Sequence, residues 1–204
     1  MANKISYLIS CLVSLIFVFG CGSLQVAGDV QAGRNALQIG RPEDAIAYLV
    51  RAAAQDADYK IPYRLGENVL TYLGRAYYET GRDKDARATL EKRLSRDSED
   101  HSARLYLGLT LLRDGDRDRG GREIQSALKG IYNSIDSLAA DSLSGPYWDP
   151  GRQIRGDIQR ATTLKSDSAE LVSLAQRIGK SVDEETDRVR RDENRTLYSR
   201  GGDS

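Results

Sequence analysis

A segment of this chain recurs after 34 residues, and this self-similarity limits the folds available to the chain more than any other feature. The segment 73–81 aligns with the segment 107–115, and Leu90 aligns with Ile124 at the same offset. Each segment has a glycine after a leucine and a second glycine seven residues later. A period of this length predicts a stack of similar units, because one unit cannot bury its apolar face without a neighbour.

A third copy lies upstream, where Gly33, Gly40 and Leu49 match the small and large positions of the other two copies. The step from Gly40 to Gly81 is seven residues longer than the period. The excess falls near residues 56–64 and predicts a longer connection after the first copy. We therefore assign the three repeats to residues 26–59, 67–100 and 101–134.

This pattern of small and large residues resembles the tetratricopeptide repeat, in which each unit is a pair of antiparallel helices. The resemblance implies an all-α fold, a short α-solenoid of three helical hairpins within residues 30–139. It also implies that the first helix of each hairpin lines a concave groove.

The segment 140–190 predicts helices that cap the stack. Apolar residues at helical spacing extend the last repeat helix to about residue 139 and predict two further helices, at 150–164 and 167–189. Two interpretations of the last helix remain open: it covers the exposed end of the stack, or it docks another protein. Residues 191–204 are charged and are predicted to be a flexible tail.

The first twenty residues resemble the signal peptide of a bacterial lipoprotein. Lys4 precedes an apolar run over residues 5–19, which is short for a membrane span of roughly 20 residues. The run ends in Val18-Phe19-Gly20-Cys21, which is similar to a lipobox. The resemblance implies cleavage after residue 20, fatty acylation of Cys21, and a lipidated tether over residues 21–29. An uncleaved signal anchor and an ordinary secretory signal remain alternatives.

The residue after Cys21 is Gly22 rather than aspartate. In enterobacterial lipoproteins this resembles an outer-membrane address. The expected location is therefore the cell envelope, with the protein lipid-anchored to the outer membrane and facing the periplasm.

Composition excludes several function classes. The chain has 30 Lys and Arg against 30 Asp and Glu, so it lacks the basic excess of a nucleic-acid-binding protein. One histidine and two cysteines provide no metal-binding cluster, and no phosphate-binding glycine loop follows a strand. We expect no cofactor, no metal, no nucleic-acid partner and no catalytic activity.

Alignment to the repeat places a set of candidate partner-binding residues on the groove. They are Arg34, Leu37, Asn68, Thr71, Arg75, Tyr78, Leu105 and Leu109. Arg34 and Arg75 hold equivalent positions, and their guanidinium groups are suited to a carboxylate of a partner peptide. Alternatively, they pair internally with Glu79 or Glu67. The leucines either receive an amphipathic partner helix or lie under the C-terminal helices.

Tyr147 and Trp148 form an aromatic pair in a loop rich in glycine and proline. Such a pair stacks on a sugar, anchors in a partner's pocket, or plugs the end of the helical stack. The function predicted from the sequence is a non-catalytic adaptor for a protein partner in an envelope complex. The alternative is a cell-wall or glycan-binding accessory protein that uses this aromatic loop.

Overall fold

The computed structural model describes residues 23–201, and its side chains are described for residues 23–195. Within this range the chain forms eight α-helices and a single 3₁₀ turn. They are α1 (23–38), α2 (Pro42–Gln55), α3 (Val69–Glu79), α4 (Asp83–Arg96), α5 (His101–Arg113), α6 (Arg117–Ala139), the 3₁₀ turn Gly145–Tyr147, α7 (Gln153–Thr162) and α8 (Ala169–Gly201). The fold is an all-α solenoid of the tetratricopeptide-repeat type, as the repeat pattern predicts.

Each repeat forms a hairpin: α1 with α2, α3 with α4, and α5 with α6. The turn glycines Gly40, Gly81 and Gly115 have φ values of +73°, +74° and +92°, a conformation in which a Cβ atom is strained. Gly108 lets the helices of the third hairpin approach closely. A Cβ atom there would lie 2.8 Å from the backbone nitrogen of Ile124.

The longer connection after the first hairpin replaces the direct turn between repeats. Residues 56–68 fold back on themselves, and Lys60 forms an isolated antiparallel bridge with Asn68. The side chain of Asn68 then accepts a hydrogen bond from the backbone N–H of Leu70 and caps α3. The seven additional residues therefore make a short folded connection rather than an extended helix.

The last helix covers the inner face of the solenoid. Its apolar stripe is entirely buried; it consists of Leu171, Leu174, Ala175, Ile178, Val182 and Val189. Helix α8 contacts the first helix of every hairpin, through Arg34 of α1, Tyr72 and Tyr78 of α3, and Tyr106 of α5. Of the two interpretations of this helix, the structure matches the one in which it covers the stack.

Two predicted boundaries differ from the structure. Residues 23–29, predicted as tether, form the beginning of the described part of α1, since Val26 and Val30 pack into the core of the first hairpin. The predicted flexible tail begins inside α8, which continues to Gly201. The hydroxyl of Tyr63 donates a hydrogen bond to Glu193, so part of this charged segment is attached to the solenoid.

The predicted signal peptide over residues 1–20 and the predicted acylation site Cys21 lie outside the described residues. Among the helices that are described, none is long and apolar enough to cross a membrane.

Candidate functional site

The predicted groove is buried, and α8 covers a large part of it. All eight of its residues are at most 4% exposed; they are Arg34, Leu37, Asn68, Thr71, Arg75, Tyr78, Leu105 and Leu109. Arg34, Arg75 and Tyr78 make polar contacts with α8. Asn68 instead bonds to the connection before α3, and Thr71 bonds to Asp100. A partner peptide in this groove would have to take the place of α8.

Arg34 is the main polar contact between α1 and α8. Its Nε donates to Oδ1 of Asp183 at 2.6 Å and its Nη1 donates to Oδ1 of Asp187 at 2.8 Å. Its Nη2 donates to the backbone carbonyl of Asp183 at 2.9 Å. The guanidinium group therefore binds a carboxylate, as its chemistry predicts, but the carboxylate belongs to the chain's own last helix.

Asp183 is shared between helices of the first two hairpins. The hydroxyl of Tyr72 donates to its Oδ1 at 3.0 Å, and Nη1 of Arg75 lies 3.7 Å from its Oδ2. Arg75 also donates from Nε to Glu79 at 2.9 Å, which is one of the internal pairings left open by the sequence. The two arginines thus hold one buried carboxylate between them.

Asp187 lies one helical turn further along α8, where it is less enclosed. Burial acts to raise the pKa of its carboxyl group, but hydrogen bonds from Arg34 and Gln38 outweigh burial and keep the pKa below its usual value. The carboxylate is therefore ionised over the range in which most proteins work, and it continues to bind Arg34.

The apolar strip of α5 also lies under α8. Gly179 of α8 sits over Tyr106, and a Cβ atom there would lie 2.7 Å from the tyrosine hydroxyl oxygen. Leu105 packs beside the same glycine, and Gln176 donates to the hydroxyl of Tyr78 at 2.7 Å. The strip is thus occupied by the C-terminal helix, which is the second of the alternatives that the sequence leaves open.

The aromatic loop is largely turned inward. Trp148 is 1% exposed, and its ring centroid lies 6.4 Å from that of Tyr63 in a stacked arrangement. Tyr147 is half-buried, and its backbone carbonyl accepts a hydrogen bond from Arg188 of α8. The prediction that Trp148 stacks on a sugar is therefore inconsistent with this arrangement, in which the ring is buried against Tyr63 of the connection before α3.

Glu67, which the sequence suggests only as a possible partner of an arginine, is a buried carboxyl group. It is 5% exposed, and neither carboxylate oxygen makes a hydrogen bond of normal geometry. Burial raises its pKa to about 8; the nearby Asp183 acts in the same direction, whereas Arg75 opposes the shift. The Ser102 hydroxyl also favours the ionised form, and Asp100 opposes it.

Replacing Arg34 with methionine tests the contact between α1 and α8. Arg34→Met leaves Asp183 buried without its closest cation, and we expect a loss of about 3 kcal/mol in the free energy of unfolding. Arg41→Met is the matched control, because Arg41 pairs with Asp44 on the surface and its loss should cost less than about 1 kcal/mol. Urea denaturation measures both, and equal effects would contradict the proposed role of Arg34.

The raised pKa of Glu67 predicts a stability that falls as pH rises. Between its usual pKa of 4.5 and about 8, the folded chain retains a proton that the unfolded chain has released. The stability linked to this proton is complete below about pH 4.5 and is lost as pH approaches 8. Glu67→Gln cannot ionise, so relative to the parent chain we expect it to gain about 1–3 kcal/mol at high pH.

Urea denaturation at several pH values measures this difference. The surface variant Glu43→Gln is the control, because Glu43 is exposed on α2 and its curve should run parallel to that of the parent chain. A parallel curve for Glu67→Gln as well would show that Glu67 does not bind the extra proton.

Comparison with known proteins supports the repeat assignment. Residues 36–107, from the end of α1 to the middle of α5, match the family model described as Tetratricopeptide repeat. No curated protein and no solved structure matches the chain significantly. Within the described residues, no group of three or more histidine, cysteine, aspartate or glutamate side chains is arranged to hold a metal ion. The chain thus contains a tetratricopeptide-repeat segment, and such repeats generally bind other proteins.

Proposed function

We propose that this protein is a lipid-anchored, non-catalytic adaptor that binds a protein partner in the bacterial cell envelope. The observation that carries the proposal is the solenoid of three helical hairpins, together with the family match over residues 36–107. Repeat solenoids of this kind present large rigid surfaces to other proteins. The anchor is supported by the lipobox-like sequence that ends at Cys21.

The position of α1 determines how the proposed anchor would hold the solenoid. The described part of α1 begins at residue 23, only two residues after Cys21. Two residues reach at most about 7 Å in any conformation, so an acylated Cys21 would keep the first hairpin at the membrane surface. Two or more acyl chains make such an anchor stable, since each buried methylene contributes about 0.8 kcal/mol.

The first hairpin also carries most of the exposed apolar surface. Four of the five large apolar side chains that are exposed in the described range lie there; they are Leu24, Ile39, Tyr48 and Val50. In a solenoid the first unit has no preceding neighbour to cover its outer face. Because α8 fills the groove, we place the contact with a protein partner of apolar surface at this edge, around Ile39 and Tyr48.

The glycan-binding alternative receives no support from the described site. It depends on an accessible aromatic pair, and Trp148 is buried against Tyr63.

The anchor is tested by replacing each cysteine in turn. In a bacterial host fed labelled palmitate, we expect the parent chain and Cys11→Ser to carry label, because the signal that contains Cys11 is removed. Cys21→Ser should carry none, and mass spectrometry of the parent chain should find an acylated N-terminal peptide that starts at Cys21. Label on Cys21→Ser, or a product that begins at Met1, would overturn the lipoprotein assignment.

The adaptor surface is tested with a photoreactive amino acid in place of Tyr48. We expect crosslinking in cells to join this position to a defined protein, because Tyr48 is 37% exposed on the uncovered edge. Lys165 is the control position, since it is exposed in the connection between α7 and α8 at the other end of the stack. Identical products from both positions, or no product from Tyr48, would contradict a specific contact at this edge.

A further inference from the structure

A polar cavity of about 270 Å³ lies between the connection that precedes α3 and the beginning of α5. It is separate from the covered groove, although Val182 of α8 forms part of its wall. The ionisable residues that line it are Lys60, Glu67, Asp97, Glu99, Asp100 and His101. The cavity is far larger than the roughly 30 Å³ that one water molecule occupies, so it has room for an organic group.

Glu67 lines this cavity because the connection before α3 turns sharply. A Cβ atom on Gly66 would lie 2.2 Å from the carbonyl oxygen of Ile61, so only glycine allows the chain to fold back at this point. The backbone N–H of Ile61 then donates to the carbonyl of Glu67 at 3.1 Å. This turn directs the carboxyl group of Glu67 into the interior, where both of its oxygens lack a hydrogen-bond partner.

His101 provides a second acceptor on the same wall. Its ring packs against Gly130 of α6, where a Cβ atom would lie 2.3 Å from ring atoms, so the ring position is tightly restricted. Its Nε2 lies 3.9 Å from the carboxylate of Glu99, beyond hydrogen-bond distance. Its buried Nδ1 has no hydrogen-bond partner, and it is an acceptor whenever the ring carries its proton on Nε2.

The other charges around the cavity do not satisfy Glu67. Arg93 is already engaged, because it pairs with Asp97 at 2.5 Å and with Asp100 at 2.6 Å. Lys60 is exposed, and it forms no ion pair with Glu67 within 4.0 Å. Arg75 and the Ser102 hydroxyl favour the ionised form of Glu67, but neither makes a hydrogen bond of normal geometry to its oxygens. Native proteins normally avoid a buried acceptor of this kind.

We propose that this cavity binds an ammonium or guanidinium group, which donates N–H hydrogen bonds to the carboxylate of Glu67 and to Nδ1 of His101. Below about pH 8 the carboxyl group of Glu67 holds a proton, so the cation takes the place of this proton, which is released to solvent. The several N–H donors of the cation then satisfy both acceptors at once. The group belongs either to a lysine or arginine side chain of a protein or to a free amine. This site does not depend on the proposed function, because its residues lie away from the edge at Ile39 and Tyr48.

The proposal is tested at about pH 8, where Glu67 can ionise, by titrating the full-length chain in a non-ionic detergent with three probes while its amide resonances are followed by NMR. Ethylguanidinium and the blocked peptide acetyl-Gly-Arg-Gly-amide carry N–H donors, and tetramethylammonium has the same charge but none. We expect ethylguanidinium or the peptide to cause saturable shifts confined to residues 60–67, 99–103 and 130–134. Tighter binding of the peptide would identify a protein side chain as the source, and equal binding would identify a free amine.

Two variants assign the effect to Glu67. Glu67→Gln retains the shape of the side chain but cannot carry a charge, so we expect binding to weaken at least about tenfold. Glu43→Gln removes an exposed carboxylate from α2 and should bind as the parent chain does.

Three results would overturn the proposal. The first is the absence of saturable shifts with either N–H donor, which would mean that the cavity holds water only. The second is binding of tetramethylammonium as tight as that of the N–H donors. The third is binding to a folded Glu67→Gln that is as tight as binding to the parent chain. If Glu67→Gln does not fold, the comparison with tetramethylammonium still decides, because it uses only the parent chain.

Discussion

The ion pair between Arg34 and Asp183 joins the first hairpin to the last helix across 149 residues of sequence. Both side chains are 2% exposed, so neither charge is compensated by water. Because α8 is connected to α7 at its other end, this contact sets the path along which α8 crosses the first helices of the three hairpins. The inner face of the solenoid is consequently closed by the chain itself.

The attraction that holds α8 in place is mainly apolar, and the ion pair determines its register. Each large apolar side chain of the stripe contributes about 1.5–3 kcal/mol when it is buried. By contrast, burying two charges costs several kcal/mol per ion, which their mutual attraction and hydrogen bonds largely offset. A shift of α8 along the groove would retain much of the apolar contact but separate Asp183 from Arg34 and Tyr72. The polar contacts therefore favour one position among several that the apolar stripe alone would allow.

The sequence predicted the architecture because repeat proteins encode it locally. Turn glycines such as Gly81, and close contacts such as that of Gly108 with Ile124, recur at a fixed period and can be recognised by self-comparison. The inner position of Arg34 and Arg75 followed from the same alignment. The alignment could not predict that α8 occupies the groove, because α8 belongs to no repeat and its contacts with α1 join residues that are distant in sequence.

The sequence nevertheless contains a local signal that α8 covers the groove. Asp183 and Asp187 are four residues apart, so they lie on the same face of a helix, beside the apolar residues Val182 and Val189. Two carboxylates next to an apolar stripe are suited to pair with a basic surface, and the inner arginines predicted from the repeat were Arg34 and Arg75. Glu67 gave no such signal, since its burial follows from the folded connection that departs from the repeat period.

The groove and the polar cavity meet at α8, and this has an electrostatic consequence. Asp183 faces the arginines of the groove, while the preceding residue, Val182, lines the cavity that contains Glu67. Burial and the nearby charge of Asp183 both disfavour ionisation of Glu67 and raise its pKa. An ionised Glu67 would repel Asp183. A cation bound at Glu67 would reduce this repulsion and so strengthen the docking of α8. By linkage, tighter docking of α8 would in turn favour the cation, so the two contacts stabilise each other.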